Sequence, residues 1–244
     1  WKEDRKVPLE KRVDDLKNLA FLEKLGNYRD RTGRIVSLSE YIAHRLVALN
    51  QLPIEADALV KRAAFLCKAD LLTQMVGEFP SLQGIMGREY AEWDGEVQPV
   101  ALAIAEHYMP RFAADTLPAS KIGAVVGLAD KFDTICSCFV LHLIPTGSQD
   151  PYSLRRHAYG IIRIIEECGF TLEIRDVLSM ACSLLPVLQK RPGQNHHQAV
   201  QDKHVQDIKD FFRDRLFQIS IERGHRHDLV NAVLHTAAGF NDIH

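Results

Sequence analysis

Apolar residues recur three and four positions apart along nearly the whole of this 244-residue chain, and strict alternation never runs long enough for a convincing strand. That spacing predicts an all-α protein. Pro8 opens a first helix with Val13, Leu16 and Ala20 on one face, and Gly26 ends it. A second helix is expected from about Arg34 to Asn50, with Leu38, Tyr41, Ile42 and Leu46 inward and His44 among them. A third runs from near Pro53 through Leu59, Leu66, Ala69 and Leu72 toward Val76. Gly77 to Pro80 makes a bend, and a short helix follows through Leu82, Ile85, Met86 and Tyr90. Beyond the Asp94-Gly95 turn, Val97 to Tyr108 reads as another amphipathic helix and Pro118 to Ile144 as a long apolar one. Asp150, with Pro151 behind it, is placed to cap a helix that buries Leu154, Ala158, Ile161, Ile162 and Ile165 before Gly169. Leu172 to Leu188 makes the next helix. The polar stretch RPGQNHHQ that follows is loop-like and sets a domain boundary. Residues 1–190 then form one helical domain, and 191–244 a linker with a short helical segment that ends at His244 without a stop signal, as a truncated domain would.

Composition narrows the function classes. With 30 Lys and Arg against 32 Asp and Glu, the formal net charge is -2, which does not announce a nucleic-acid binder; phosphate contacts are made by local patches. The five cysteines are an odd number in apolar helical context and form no CxxC pair, as expected of buried reduced thiols in a cytoplasmic protein. The first residues, WKEDRKVPLEKR, are charged where a signal peptide is apolar. The longest apolar run, Ile135 to Pro145, contains His142 and is too short to span a bilayer, so no membrane association is expected. A chain that starts on Trp1 reads as a piece of something longer.

Two acids interrupt the apolar pattern. Asp70 falls within LCKADLLTQMVGEFPSLQGIMGREYA, and Asp130 within LADKFD, sixty positions later. An ionisable group in such a setting is either paired or functional. The metal-dependent phosphohydrolases of the histidine-aspartate (HD) superfamily bind metal with a His on one helix, a His-Asp pair on a later one and a distant Asp. This chain resembles that layout with parts missing. Asp70 matches the Asp of the pair, Ala69 stands where its His belongs, Asp130 matches the distant Asp, and His44 matches the first His. A site without the paired nitrogen ligand is a poor one for a water-activating transition metal, so no catalytic residue and no bound metal are expected. The competing reading makes Asp70 and Asp130 buried hydrogen-bonding groups, paired with Lys68, Lys131 or backbone amides. The literal His227-Asp228 dipeptide has no later Asp at the required separation. Asn195, His196 and His197 belong to the loop, and no phosphate-binding glycine loop or nucleophile elbow is present.

A longer resemblance is carried by KADLLTQMVGEFPSLQGIMGREYA, then LADKFDT, then LIPTGSQDPYSLRRHAYGIIRII, with WKEDRKVPLEKRVDDLKNLAFLEKLG at the start. These ordered stretches resemble the bacterial glycyl-tRNA synthetase beta subunit, and FFRDRLFQISIERGHRHDLVNAVL resembles the entry to that family's helical anticodon-binding domain. The resemblance implies an HD-like helical domain with a degenerate metal motif. It also implies a role in binding glycine tRNA, within an alpha2beta2 complex whose alpha subunit uses ATP and Mg for glycine activation. No cofactor is then expected in this chain. Exposed basic residues are the RNA-binding candidates: Arg88, Lys121, Arg155, Arg156 and Arg163. Two other readings compete, a metal-dependent phosphohydrolase and a scaffold that only docks other subunits or domains.

Overall fold

Helix α2 (Tyr28–Ala48) shows how local chemistry starts an element here. The Asn27 side chain accepts the Asp30 N–H while Asp30 accepts the Asn27 N–H, a reciprocal cap for two otherwise orphaned donors. Gly26 before it has φ +85°, and an added Cβ would fall 2.2 Å from Asp30 Oδ2, so only glycine serves this turn. The helix begins six residues earlier than apolar spacing alone predicts, because Tyr28 to Gly33 is a polar first turn and a half held by the cap.

The computed structural model describes residues 1–189 and 197–234. The chain divides into two units, Trp1–Asp130 and Lys131–His244. In the first, α1 is only Leu9–Arg12 and continues as a 3-10 turn, Val13–Asn18. The expected single helix from Pro8 to Gly26 is therefore corrected. A 3-10 turn eclipses positions three apart, which drops Val13 and Leu16 into the core together. The chain then forms a two-stranded antiparallel hairpin, β1 (Ala20–Leu22) with β2 (Gly26–Asn27). These strands are too short to leave an alternating signature. The protein is otherwise all-α among the described residues.

Helix α3 (Ala56–Leu66) packs on α2. It stops well before Val76. A 3-10 turn over Ala69–Leu72 follows, and Thr73 restarts the chain by accepting the Val76 N–H to cap α4 (Gln74–Glu78). Next come α5 (Ile85–Trp93) and α6 (Gln98–Glu106), which pack together, with α6 also on α3. Helix α7 (Lys121–Val140) runs across the division between the units, and every residue from Gly123 to Val140 is buried. A helix buried all round is what a mean hydropathy this high across its whole circumference requires.

In the second unit, α8 (Leu154–Cys168) buries Leu154, Ala158, Ile161, Ile162 and Ile165 as expected. Asp150 caps it, but from four residues before the helix, its carboxylate accepting the Leu154 and Arg155 N–H groups. Gly169 closes it in the left-handed region, φ +62°. Then come α9 (Ile174–Ser183), α10 (His197–Glu222) and α11 (His227–Leu234), with α10 packed on α8, α9 and α11. His197, expected in the loop, is corrected to the first residue of α10. The boundary expected between residues 190 and 191, with Asn195 and His196, lies outside the described residues. No helix among the described residues is long and apolar enough to cross a membrane.

Candidate functional site

Asp130 on α7 is buried at the middle of an ionic cluster. Its Oδ1 accepts from Arg31 Nη2 of α2 at 2.9 Å, and its Oδ2 accepts from Lys68 Nζ, just past the end of α3, also at 2.9 Å. Lys68 Nζ is in turn 2.9 Å from His107 Nε2, and His107 Nδ1 is 2.6 Å from the Ile104 carbonyl. An ammonium has no lone pair, so Nε2 accepts, and the ring proton is on Nδ1, donated to Ile104. His107 is therefore neutral. Aromatic faces cover both cations, with Arg31 4.1 Å from the Phe21 ring centre and Lys68 4.1 Å from that of Tyr108. Burial works to raise the Asp130 carboxyl, and the charges of Lys68 and Arg31 more than reverse it, holding it far below the ordinary carboxylate range. The neighbouring Cys67 thiol is pushed up to about 12 by burial, which makes it an inert packing group.

Asp70 is fully buried and is satisfied differently. It lies in the 3-10 turn rather than in an α-helix, and its Oδ2 accepts the Gly84 N–H at 2.6 Å. Gly84, φ +78°, is the N-cap of α5, so a distant carboxylate supplies the cap that glycine cannot. An added Cβ on Gly87 would fall 2.7 Å from Ile104 Cγ2 and 3.0 Å from Asp70 Oδ2, so the first turn of α5 approaches Asp70 as closely as only glycine permits. Asp70 Oδ1 is buried without a hydrogen-bond partner among the described residues. Burial raises the carboxyl to about 6, against the lowering effect of the Gly84 N–H and Lys68.

The remaining positions of the expected metal motif are not drawn together. Ala69 is a buried apolar contact, and His44 is corrected from inward to exposed, its Nε2 3.2 Å from Asp57 Oδ1. The reason is angular: Leu38, Ile42 and Leu46 make an i, i+4 stripe, and position 44 lies about 200° round the helix from Ile42. No group of three His, Cys, Asp or Glu side chains among the described residues has the geometry to hold a metal. Asp228 of the His227-Asp228 dipeptide pairs with Arg226 on the surface. Arg31, Lys68 and His107 thus complete a centre of which sequence reading named only Asp130 and, as one possible partner, Lys68.

The basic candidates fall in both units. In the first, Arg88 is neutralised by Glu89 at 2.8 Å and Glu92 at 3.5 Å, and Lys121 Nζ donates to the Gln51 carbonyl at 2.7 Å. In the second, all three lie on α8. Arg155 donates to the Gly147 carbonyl at 2.7 Å, Arg156 to Ser153 Oγ at 2.6 Å, and the Arg163 guanidinium is 5.8 Å from the Tyr159 ring centre. Arg156 and Arg163 are seven residues apart and share a face with Tyr159, an aromatic neighbour that charge counting did not single out.

Comparison with known proteins agrees along the whole length. A family model described as "Glycyl-tRNA synthetase beta subunit" matches residues 1–235. The "Glycine--tRNA ligase beta subunit" of Geobacter sulfurreducens is 46% identical over 243 residues, covering 100% of this chain and 33% of the relative. Its counterparts in Geobacter metallireducens and Desulforamulus reducens are 47% identical over 243 residues and 43% over 248, with the same coverage of both chains. The chain spans about a third of the length of these curated relatives.

Proposed function

Because the chain belongs to the glycyl-tRNA synthetase beta-subunit family, we propose that it is a tRNA-binding, non-adenylating part of that subunit, supporting the charging of tRNA with glycine in the cytoplasm. Its partners are then glycine tRNA, the alpha subunit and the other beta-subunit domains of an alpha2beta2 complex. ATP and Mg are used on the alpha subunit. The observation that carries this reading is the buried centre itself. Both oxygens of Asp130 are occupied by the protein's own cations, Arg31 and Lys68, at the place where a hydrolase of the HD type would direct them at a metal.

On this reading the domain is HD-like, with Ala69-Asp70 standing where the His-Asp pair would be and Lys68 beside them paired to Asp130. An ammonium and a guanidinium supply the positive charge at Asp130. Such a donor set does not fit a divalent ion, because Arg31 and Lys68 repel it and Asp130 has no oxygen left to offer. The fold is then reused for binding on its surface, and the arginine-bearing face of α8 is the part we assign to RNA. Titrating the intact alpha/beta complex with a glycine tRNA transcript across a salt series tests this. Arg155→Glu with Arg156→Glu is expected to weaken binding and to flatten the slope of log affinity against log salt by about two, one for each lost phosphate contact. An unchanged affinity and slope would remove α8 from the RNA surface.

A further inference from the structure

We propose that Arg5 and Trp93 form a stacking site for an unpaired RNA nucleotide, with the phosphate held by Arg5 and the base laid on the open face of Trp93. This rests on the reading of the chain as tRNA-binding, and it places a contact in the first unit that the charge pattern did not mark. Trp93, the last residue of α5, is 58% exposed, an unusual setting for so large a ring. The Arg5 guanidinium carbon lies 3.0 Å over its ring centre and 5.4 Å from that of Trp1, within cation-π reach of both indoles. Trp1 stacks in turn on Tyr90, with ring centres 4.9 Å apart and planes at 23°.

The base of this ladder is fixed. The Tyr90 hydroxyl donates to Asp4 Oδ2 at 2.9 Å, and the buried Asp4 carboxylate also accepts the Gln74 and Met75 N–H groups at 2.8 and 3.1 Å. Every acid in the flanking segments is engaged: Glu3 with Lys6, Glu10 and Glu96 with Arg62, Glu89 and Glu92 with Arg88, and Asp94 with the Leu9 N–H. By contrast the side chains of Lys2, Arg5 and Lys11 make no hydrogen bond or ion pair among the described residues. A guanidinium over an indole face, with no hydrogen bond of its own, has its N–H fork available for a phosphate. Flat, exposed aromatic rings beside free cations are what unpaired bases stack on, and this tolerance of any base suits a strand end or loop rather than a duplex.

The test uses the intact alpha/beta complex and a glycine tRNA transcript. Trp93→Leu is expected to weaken binding about ten-fold with the salt slope unchanged, because it removes stacking and no charge. Trp93→Phe should retain most of the affinity. Arg5→Gln should weaken binding and lower the salt slope by about one. If Trp93→Leu lowers thermal stability, Arg5→Gln and its slope decide the matter. The proposal is overturned if Arg5→Gln and Trp93→Leu bind as the parent does, or if they release the alpha subunit on sedimentation while tRNA binding is kept, which would make the ladder a protein contact. A loss of affinity confined to the α8 arginine variants would sink this site and leave the tRNA-binding reading standing. Indifference of every variant would sink both.

Discussion

Asp130 and Asp70 are both buried in the first unit, yet they are kept there by different means. Asp130 faces two cations and is held ionised. Asp70 faces backbone amides, keeps one oxygen without a partner among the described residues, and has its carboxyl raised to about 6. Opposite charge within hydrogen-bonding distance repays the desolvation of a carboxylate, whereas backbone amides here repay only part of it. The first arrangement is an ionic tie between α2, α7 and the end of α3. The second is a remote helix cap that leaves its own charge poorly compensated.

Removing one cation breaks the contrast most severely. Lys68→Met keeps the length of the side chain but removes one of the two cations facing Asp130 and the ammonium beside His107 Nε2. A destabilisation of about 3–5 kcal/mol is expected, the cost of stranding a buried charge. Chemical denaturation of the parent and variant measures it, and a loss under about 1 kcal/mol would show that Asp130 is not held by the ion pair. A smaller effect is expected at the other carboxylate. Gly87→Ala presses a methyl group toward Ile104 Cγ2 at 2.7 Å and Asp70 Oδ2 at 3.0 Å, for a loss of about 1–3 kcal/mol from overpacking. The same substitution at Gly77, whose added Cβ meets nothing within 4 Å, is the control that should cost nothing from contact.

The two carboxylates also mark how far sequence reasoning reaches. Helical spacing identified the all-α class, and α8 buries the five residues that its spacing predicts. Local chemistry of one or two residues was harder to weigh. The third helix ends at Leu66 and Thr73 caps a new one, and the 3-10 register of Val13 and Leu16 replaces the first one. An acid in an apolar run was a sound signal of burial for both Asp70 and Asp130, and Lys68 and backbone amides were legible as their partners. What the sequence could not supply was Arg31, which is ninety-nine residues from Asp130 in the chain. A polar first turn of a helix looks solvated until the fold brings a carboxylate over it. His44 misled for the opposite reason, being near the apolar stripe in number and across the helix from it in angle.

The smallest effect at neutral pH is expected from Asp70→Asn, and its value lies in the direction of its pH dependence. A carboxyl raised from an ordinary value near 4 to about 6 in the folded protein is protonated more readily there than in the unfolded chain. Its contribution to stability is therefore fully present below about pH 4 and is lost as pH rises through about 6. Asp130 runs the other way: with its carboxyl depressed by Lys68 and Arg31, its stabilisation is present above about pH 4 and is lost as acid protonates it. The amide that replaces the carboxylate in this variant keeps an oxygen for the Gly84 N–H but buries an NH2 group where Oδ1 has no partner, a cost of about 1–3 kcal/mol that offsets much of the relief from losing a buried charge. Near neutral pH the variant should thus unfold within about 1 kcal/mol of the parent. Between about pH 4 and 6 the parent should lose stability with rising pH relative to Asp70→Asn, so the difference between the two curves, measured by urea denaturation at each pH, isolates this one group. A difference that stays flat across that window would mean that Asp70 ionises at an ordinary pH, and that the backbone amides around it compensate the charge as fully as two cations do for Asp130.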